Sequence, residues 1–458
     1  MAADFKTPPG GRRRPTWREY QKGLRRPRKV VTFRRMLLTA AVLATVFYAL
    51  FMGMAATRPG DDTVPPAPVA AVNPVLDSDT LLSKSDVQLL LARLPLADLM
   101  QREVVLPLNG QQLRVTTCLD EALQARLVKA LDRRHARYIG IVAMEPETGR
   151  VRAMVGFDKA DPDANPCLSN IFPAASLFKI VTAAAAVDQF NYTGKTPLKF
   201  NGYKHTLYRN QLQETNNRYT HTISLSAAFA ESVNPVFGKL GKLDLGKSLL
   251  EQYGADFGFN RPIDFDLPID PSHLAVKETP YHWAEIASGF NRETTLSPLH
   301  AAMIISAALN QGQMAVPTLI ERIEDQDGRL LYRADNTHGA PAMSGKAADA
   351  LMEMMEATVR SGTARSLFSN RQRDPVLSGL RIGGKTGSIS TRDREARIDW
   401  FAGYAEKQKG RERLVVAALV AHVDYIGVRA GTYARTAMTH YFKNSPARRQ
   451  TAGGPSDS

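Results

Sequence analysis

Cysteine is scarce in this chain of 458 residues, which carries only Cys118 and Cys167. Two thiols can close one bridge at most, so a disulfide-stapled scaffold is excluded and the fold must rest on an apolar core. Their spacing leaves the pairing of these two open. Histidine is thin as well: nine residues are scattered without a His-Glu-x-x-His or other ligand spacing, which argues against a metal site. There is no internal repeat, which excludes solenoids and propellers. Only one uncharged, predominantly apolar run follows directly on a basic stretch, Met36 to Ala56. Basic excess is also missing from most of the chain. The net charge is +14, but residues 1–35 hold twelve Lys or Arg against Asp4 and Glu19, so +10 of it sits there. The remainder is nearly balanced, and no nucleic-acid partner is expected.

What is present orders itself around that one run. Residues 36–56 are long enough to cross a bilayer as a helix, and the cationic tail 1–35 would be retained on the cytoplasmic side. The expectation is a single-pass protein of the bacterial inner (cytoplasmic) membrane, with everything beyond Arg58 exported. A cleaved signal peptide competes, because Gly53-Met54-Ala55 is a small-residue site, but the apolar and basic stretches are both long for one. Residues 57–116 read as a Pro-rich linker and a small pedestal. The pedestal has leucines at helical spacing up to Leu99, then two strands joined by Asn109-Gly110. Residues 444–458 read as a polar, disordered tail.

Between them, 117–443 reads as one body. Asp120 is a candidate N-cap for a helix with Leu123, Leu127 and Leu131 on one face. Tyr138 to Gly156 reads as two strands around a Pro and Gly turn. Residues 176–310 are largely helical in character, including Ser224 to Glu231, Leu245 to Tyr253 and Ser297 to Asn310. Strands return at Leu380–Ser388, Asp399–Tyr404 and Leu414–Val423. Their connectors are too short for helices, so they run antiparallel. Arg429 to Phe442 closes the body as a helix.

The chemistry gathers at Pro173-Ala-Ala-Ser176-Leu-Phe-Lys179. Residues three apart share a helix face, so Ser176 and Lys179 can direct a hydroxyl and an amine at one point. A lysine serves a serine as base only when burial or a neighbouring cation lowers its pKa. Alone, such a pair occurs by chance about once in a chain this long, and a helix with a surface lysine would explain it. Two further motifs follow in order: Ser232-Val-Asn234 and Lys385-Thr386-Gly387. Singly, these read as a helix-end cap and an edge-strand turn.

Jointly, and with Glu145-Pro-Glu-Thr-Gly149, Ser361-Gly-Thr-Ala-Arg365 and Trp400-Phe-Ala-Gly-Tyr404, the set resembles the penicillin-binding proteins. Their transpeptidase domain shares its fold with the serine β-lactamases, and the resemblance runs from about Thr117 to Phe442. It implies an α/β (α+β) fold: an antiparallel five-stranded sheet flanked by N- and C-terminal helices, plus an all-helical subdomain. It also implies roles. Ser176 would be the nucleophile, Lys179 its base, Ser232 a proton relay to the leaving D-alanine, and Asn234 a holder of the Lys179 amine and a substrate amide. Lys385, Thr386 and Ser388 would receive the terminal carboxylate of a stem peptide or a β-lactam. Gly387 would let backbone approach backbone, and the N–H groups of Ser176 and Ser388 would form the oxyanion hole. No cofactor and no metal is implied.

Only about sixty residues separate the apolar run from Thr117, too few for a glycosyltransferase domain. The expected activity is therefore cross-linking of peptidoglycan stem peptides, with β-lactam antibiotics as ligands and the membrane and cell-wall synthesis or glycosyltransferase proteins as partners. A D,D-carboxypeptidase, a β-lactamase, or a β-lactam sensor or scaffold with little turnover are the alternatives. The roles of Tyr203 to Tyr208, of Tyr219 to His221 and of the charged loop Thr391–Arg397 are open at this level. Trp400 and Phe401 are expected in the sheet core.

Overall fold

The computed structural model describes residues 81–92, 98–108, 110–335, 337–391 and 395–444. The basic tail, the apolar run 36–56, the linker to residue 80 and the stretch beyond 444 lie outside the described residues. No helix among the described residues is long and apolar enough to cross a membrane.

The pedestal begins with helix α1 (Lys84–Leu91), capped by Ser83, whose hydroxyl accepts from Asp86 N–H while the Asp86 carboxylate accepts from Ser83 N–H. Strands β1 (Glu103–Leu108) and β2 (Gln111–Thr117) form the expected hairpin, and Gly110 takes φ +79 in the turn. The pair does not stand by itself. β2 also pairs with Ile320–Glu324, which pairs in turn with Leu330–Arg333, so half of this four-stranded sheet comes from late in the body. The junction is locked by Asp266, fully buried, which accepts from Thr318 Oγ1 at 3.0 Å, from Ile320 N at 3.2 Å and from Leu319 N.

The main sheet is assembled from both ends of the body. β3 (Ala136–Met144) and β4 (Val151–Asp158) join β5 (Leu380–Ser390), β6 (Arg397–Lys407) and β7 (Arg413–His422) in the order β5-β6-β7-β3-β4. Every neighbouring pair is antiparallel. Alternation along β7 shows why the sheet is covered twice. Leu414, Val416, Ala418 and Val420 face one core with Leu123, Leu127, Tyr433 and Met438 of the terminal helices. Val415, Ala417, Leu419 and Ala421 face the other core, with the helices of the middle segment. The terminal helices are α2 (Glu121–Ala130), whose N-cap Asp120 accepts from Leu123 N–H, and α10 (Ala430–Asn444).

Seven helices lie between them: α3 (Lys179–Phe190), α4 (Leu225–Ala230), α5 (Asn234–Lys239), α6 (Gly246–Asp256), α7 (Pro280–Ser288), α8 (Pro298–Leu309) and α9 (Gly345–Arg360). Helical density is lower than the composition of 176–310 suggests, because a hairpin of Pro197–Phe200 with His221–Ser224 and an irregular stretch after Asp256 interrupt it. α9, which periodic reading did not single out, packs on the edge strand β5. The two cysteines are buried and unbonded. Trp400 and Phe401 are core residues, as expected.

Candidate active site

β5 is the outermost strand of the main sheet, and the three motifs converge along it on a cleft of about 460 Å³. Ser176 sits in a single 3-10 turn, Ala175–Phe178, whose end becomes the first turn of α3 at Lys179. The turn starts from a left-handed Ala175, φ +49, which α7 holds in place. At the C-terminus of that helix Gly289 has φ +65, and a Cβ there would lie 1.8 Å from the Ala175 carbonyl oxygen. Only glycine fits both the backbone angle and the contact.

Lys179 is fully buried, and its Nζ lies 2.9 Å from Ser176 Oγ and 2.8 Å from Asn234 Oδ1, with the Ser288 carbonyl oxygen as a third partner. Asn234 opens α5, and Ser232 just before it is held at φ +56, a left-handed conformation that costs a non-glycine residue on the order of 1 kcal/mol. That twist aims Ser232 Oγ at the second buried lysine: Lys385 Nζ donates to it at 3.0 Å and to the Thr386 carbonyl at 3.0 Å. Each ammonium also rests over an aromatic face, Lys179 over Phe237 at 5.5 Å and Lys385 over Phe229 at 5.4 Å. Among the described residues neither lysine forms an ion pair.

Burial without a counter-charge decides the protonation state. It holds the Lys179 amine well below the ordinary lysine range, and the positive charge of Lys385 lowers it further. Burial alone pushes Lys385 down to about 7. Lys179 therefore loses its proton first. As a neutral amine it still donates to the two carbonyl oxygens of Asn234 and Ser288, which can only accept, and its lone pair is left for the Ser176 hydroxyl. Burial is the main cause and the second lysine the lesser one.

The rest of the cleft is built around β5. Thr386 and Ser388 face the α10 side, where Thr386 Oγ1 pairs with Thr363 Oγ1 at 2.6 Å and Ser388 Oγ accepts from Arg397 Nε at 2.9 Å. A Cβ at Gly387 would come to 3.4 Å from the Ser176 nitrogen, so the glycine keeps that N–H uncrowded. All eight candidates, Ser176, Lys179, Ser232, Asn234, Lys385, Thr386, Gly387 and Ser388, are thus drawn to one place. Sequence reasoning missed the Ser288 carbonyl and Gly289. It also assigned no role to Thr363 within Ser361-Gly-Thr-Ala-Arg365, although the motif itself was a sufficient signal. Arg397, Asp399 and Arg429 line the cleft too. The Asp399 carboxylate accepts from Ala430 N–H at 3.0 Å and so caps α10. No group of acidic, histidine or cysteine side chains among the described residues is arranged to hold a metal.

Solved structures share this architecture. The D,D-transpeptidase domain of a peptidoglycan glycosyltransferase from Eggerthella lenta superposes with TM-score 0.59 at 23% identity, over 72% of this chain and 83% of that one. PBPA of Mycobacterium tuberculosis gives 0.58 at 22%, over 71% and 81%. These likenesses establish the α+β fold of transpeptidases and β-lactamases. Among curated proteins, the peptidoglycan D,D-transpeptidase PbpA of Mycolicibacterium smegmatis is 25% identical over 319 residues, which are 61% of this chain and 61% of that protein. The chain thus spans about three fifths of the length of that relative. Residues 139–440, from the first strand of the main sheet to the last helix, match the family described as the penicillin binding protein transpeptidase domain, and the chain belongs to that family.

Proposed function

We propose that this protein is a peptidoglycan D,D-transpeptidase working through a serine acyl-enzyme. The observation that carries the reading is the Lys179 amine, buried, without an ion pair among the described residues and 2.9 Å from Ser176 Oγ. Ser176 Oγ attacks the penultimate D-alanine carbonyl of a stem peptide while its proton passes to the Lys179 lone pair. The C–N bond breaks, the leaving D-alanine nitrogen takes a proton from Ser232 Oγ, and the proton held by Lys179 returns to Ser232, so both lysines end as they began and the Lys385 ammonium, 3.0 Å from Ser232 Oγ, stays charged. Lys385, Thr386 and Ser388, with Arg397 behind Ser388, supply a cationic, hydroxyl-lined seat for the terminal carboxylate. The open edge of β5 can align the peptide as an added strand, and the Ser176 and Ser388 N–H groups would receive the oxyanion. An acceptor amine then attacks the ester carbon, forming the cross-link and returning Ser176.

A relative named peptidoglycan D,D-transpeptidase and structures of M. tuberculosis penicillin-binding protein A as imipenem and penicillin G acyl-enzymes support both the substrate class and β-lactam binding. The basic tail and the uncharged run 36–56 support a single-pass inner-membrane protein with its catalytic body exported. Asp399 is the sole carboxylate among the described residues lining the cleft, and it is engaged by α10, which favours slow hydrolysis over β-lactamase turnover.

The test is a fluorescent penicillin on the full-length chain in detergent, followed for hours beside Ser176→Ala. A stable label abolished by the substitution is expected. A label lost within seconds would mean a β-lactamase, and no label on folded protein would overturn the catalytic reading.

A further inference from the structure

The segment Tyr203-Lys-His-Thr-Leu-Tyr208 has no part in the three motifs, yet it is built into the site. Gln211, buried beneath it, binds it on both sides: its Nε2 donates to the Asn201 and Tyr203 carbonyls, and its Oε1 accepts from Tyr208 N–H and Thr206 Oγ1. On the site side Asn234 N–H donates to the Lys204 carbonyl at 2.6 Å, and Lys204 pairs with Glu231, the residue before Ser232. The loop is therefore fastened to the second motif on either flank. The residue it delivers is His205, which lines the cleft with Ser176, Ser232 and Asn234.

We propose that His205 receives the acceptor amine: its imidazole accepts a hydrogen bond from the incoming amine and holds it against the acyl-Ser176 ester, which favours aminolysis over hydrolysis. This rests on the transpeptidase reading above. An amine nitrogen entering this cleft meets cations, Lys385 behind Ser232 and Arg397 and Arg429 on the lining. It needs an acceptor, and the nearer ones are engaged. Asn234 Oδ1 is taken by Lys179, Ser232 Oγ by Lys385 and the Glu231 carboxylate by Lys204. His205 differs. As a neutral imidazole it keeps one ring nitrogen as an acceptor in either tautomer.

The ring is neutral at pH 7. Burial lowers its pKa below 6.5, the neighbouring lysines lower it further, and the Ser232 main chain opposes them only in part. Such a ring binds the amine and does not deprotonate it. An alkylammonium with a pKa of about 10 exceeds it by several units, so proton transfer would be uphill by roughly a thousandfold or more. The reacting species is the minor neutral amine. Its nitrogen forms the new C–N bond, the C–O bond to Ser176 breaks, and the amine proton returns to Ser176 Oγ through Ser232 and Lys179, so the balance closes without His205 changing charge.

The experiment uses full-length protein, a D-alanyl thioester donor and D-alanine as the acceptor amine. It reads the ratio of aminolysis to hydrolysis, with penicillin acylation measured in parallel. His205→Leu should lower the ratio about tenfold, the size of one lost hydrogen bond, and raise the KM for acceptor. His205→Gln, which keeps an acceptor, should restore most of the ratio. Expressed per neutral D-alanine, the wild-type ratio should fall as the pH drops below about 6.5, when the imidazolium no longer has a lone pair to offer the amine, and His205→Gln should not show that limb. An unchanged ratio in His205→Leu, or a pH limb that persists in His205→Gln, overturns the proposal while acylation stands. If the wild type forms no acyl-enzyme, the transpeptidase reading itself falls, and the proposal falls with it.

Discussion

Lys385→Met should make this protein more stable while disabling it. The substitution keeps the length of the side chain and removes a buried amine whose pKa has fallen from 10.5 to about 7. The folded state therefore binds fewer protons than the unfolded chain between those values, which makes the lysine a penalty on folding. That penalty is complete below about pH 7, shrinks as pH rises and is gone above 10.5. The gap is worth about 5 kcal/mol at its full extent. Against it stand the bonds to Ser232 Oγ and the Thr386 carbonyl, whose loss costs about 1–2 kcal/mol. The net expectation is a gain of about 3 kcal/mol at pH 6, fading to nothing or reversing by pH 10. Melting temperatures of both proteins across that range would show it as a rise of several degrees at the acid end only. Acylation by fluorescent penicillin should fall by about a hundredfold or more, because the cationic seat for the carboxylate is lost. A variant no more stable at pH 6, or a difference that does not vary with pH, would refute the claim that Lys385 is buried uncompensated.

Two further predictions test the frame of the site. Gly289→Ala should cost several kcal/mol, since φ +65 is strained for alanine and its Cβ would meet the Ala175 carbonyl at 1.8 Å. The readout is a lower melting temperature together with slower penicillin labelling, because the turn carrying Ser176 must shift. The Cys118 and Cys167 thiols are buried and pushed up to about 12 by desolvation. A thiol reagent at pH 8 should find essentially none in the native protein and both in denaturant without reductant, whereas none in denaturant would mean a bridge.

The legible part of the site was the part carried by side chains in short motifs. Ser176, Lys179, Ser232, Asn234, Lys385, Thr386, Gly387 and Ser388 could be named because each motif is local and its chemistry depends on residue type. What escaped depends on backbone brought in from elsewhere. The Ser288 carbonyl takes the Lys179 amine across 109 residues of chain, and no property of a serine announces that its carbonyl will be used. Gly289 matters for the close approach of another strand of chain, and its own neighbours in sequence do not reveal that. His205 lay in a segment whose role was open, and nothing local said that Gln211 and Lys204 would fasten it beside the cleft.

The fold divides along the same line. The strand Leu414–Val423 and the capping of α2 are local, and both were foreseen. The pedestal was foreseen as a hairpin standing before the body, whereas β2 continues into Ile320–Glu324, some two hundred residues later. Strand pairing at that separation is governed by which edge remains open once the body has formed, and an exposed edge is a liability that the chain must cover. The strand Ile320–Glu324 covers it here, and Asp266 fixes the start of that strand. In sequence it is one acid in a loop rich in Asp and Pro, a composition that suggests solvent. In the fold it is fully buried, and burial raises its pKa even as the Leu319 and Ile320 N–H groups and the Thr318 hydroxyl bind it. A buried carboxylate is tolerated only where donors meet it, and these donors exist only when strand Ile320–Glu324 lies in register against β2. Asp266 thus couples the pedestal to the body, so the two should unfold together, and the boundary suggested by composition at residue 117 is not one at which the structure comes apart.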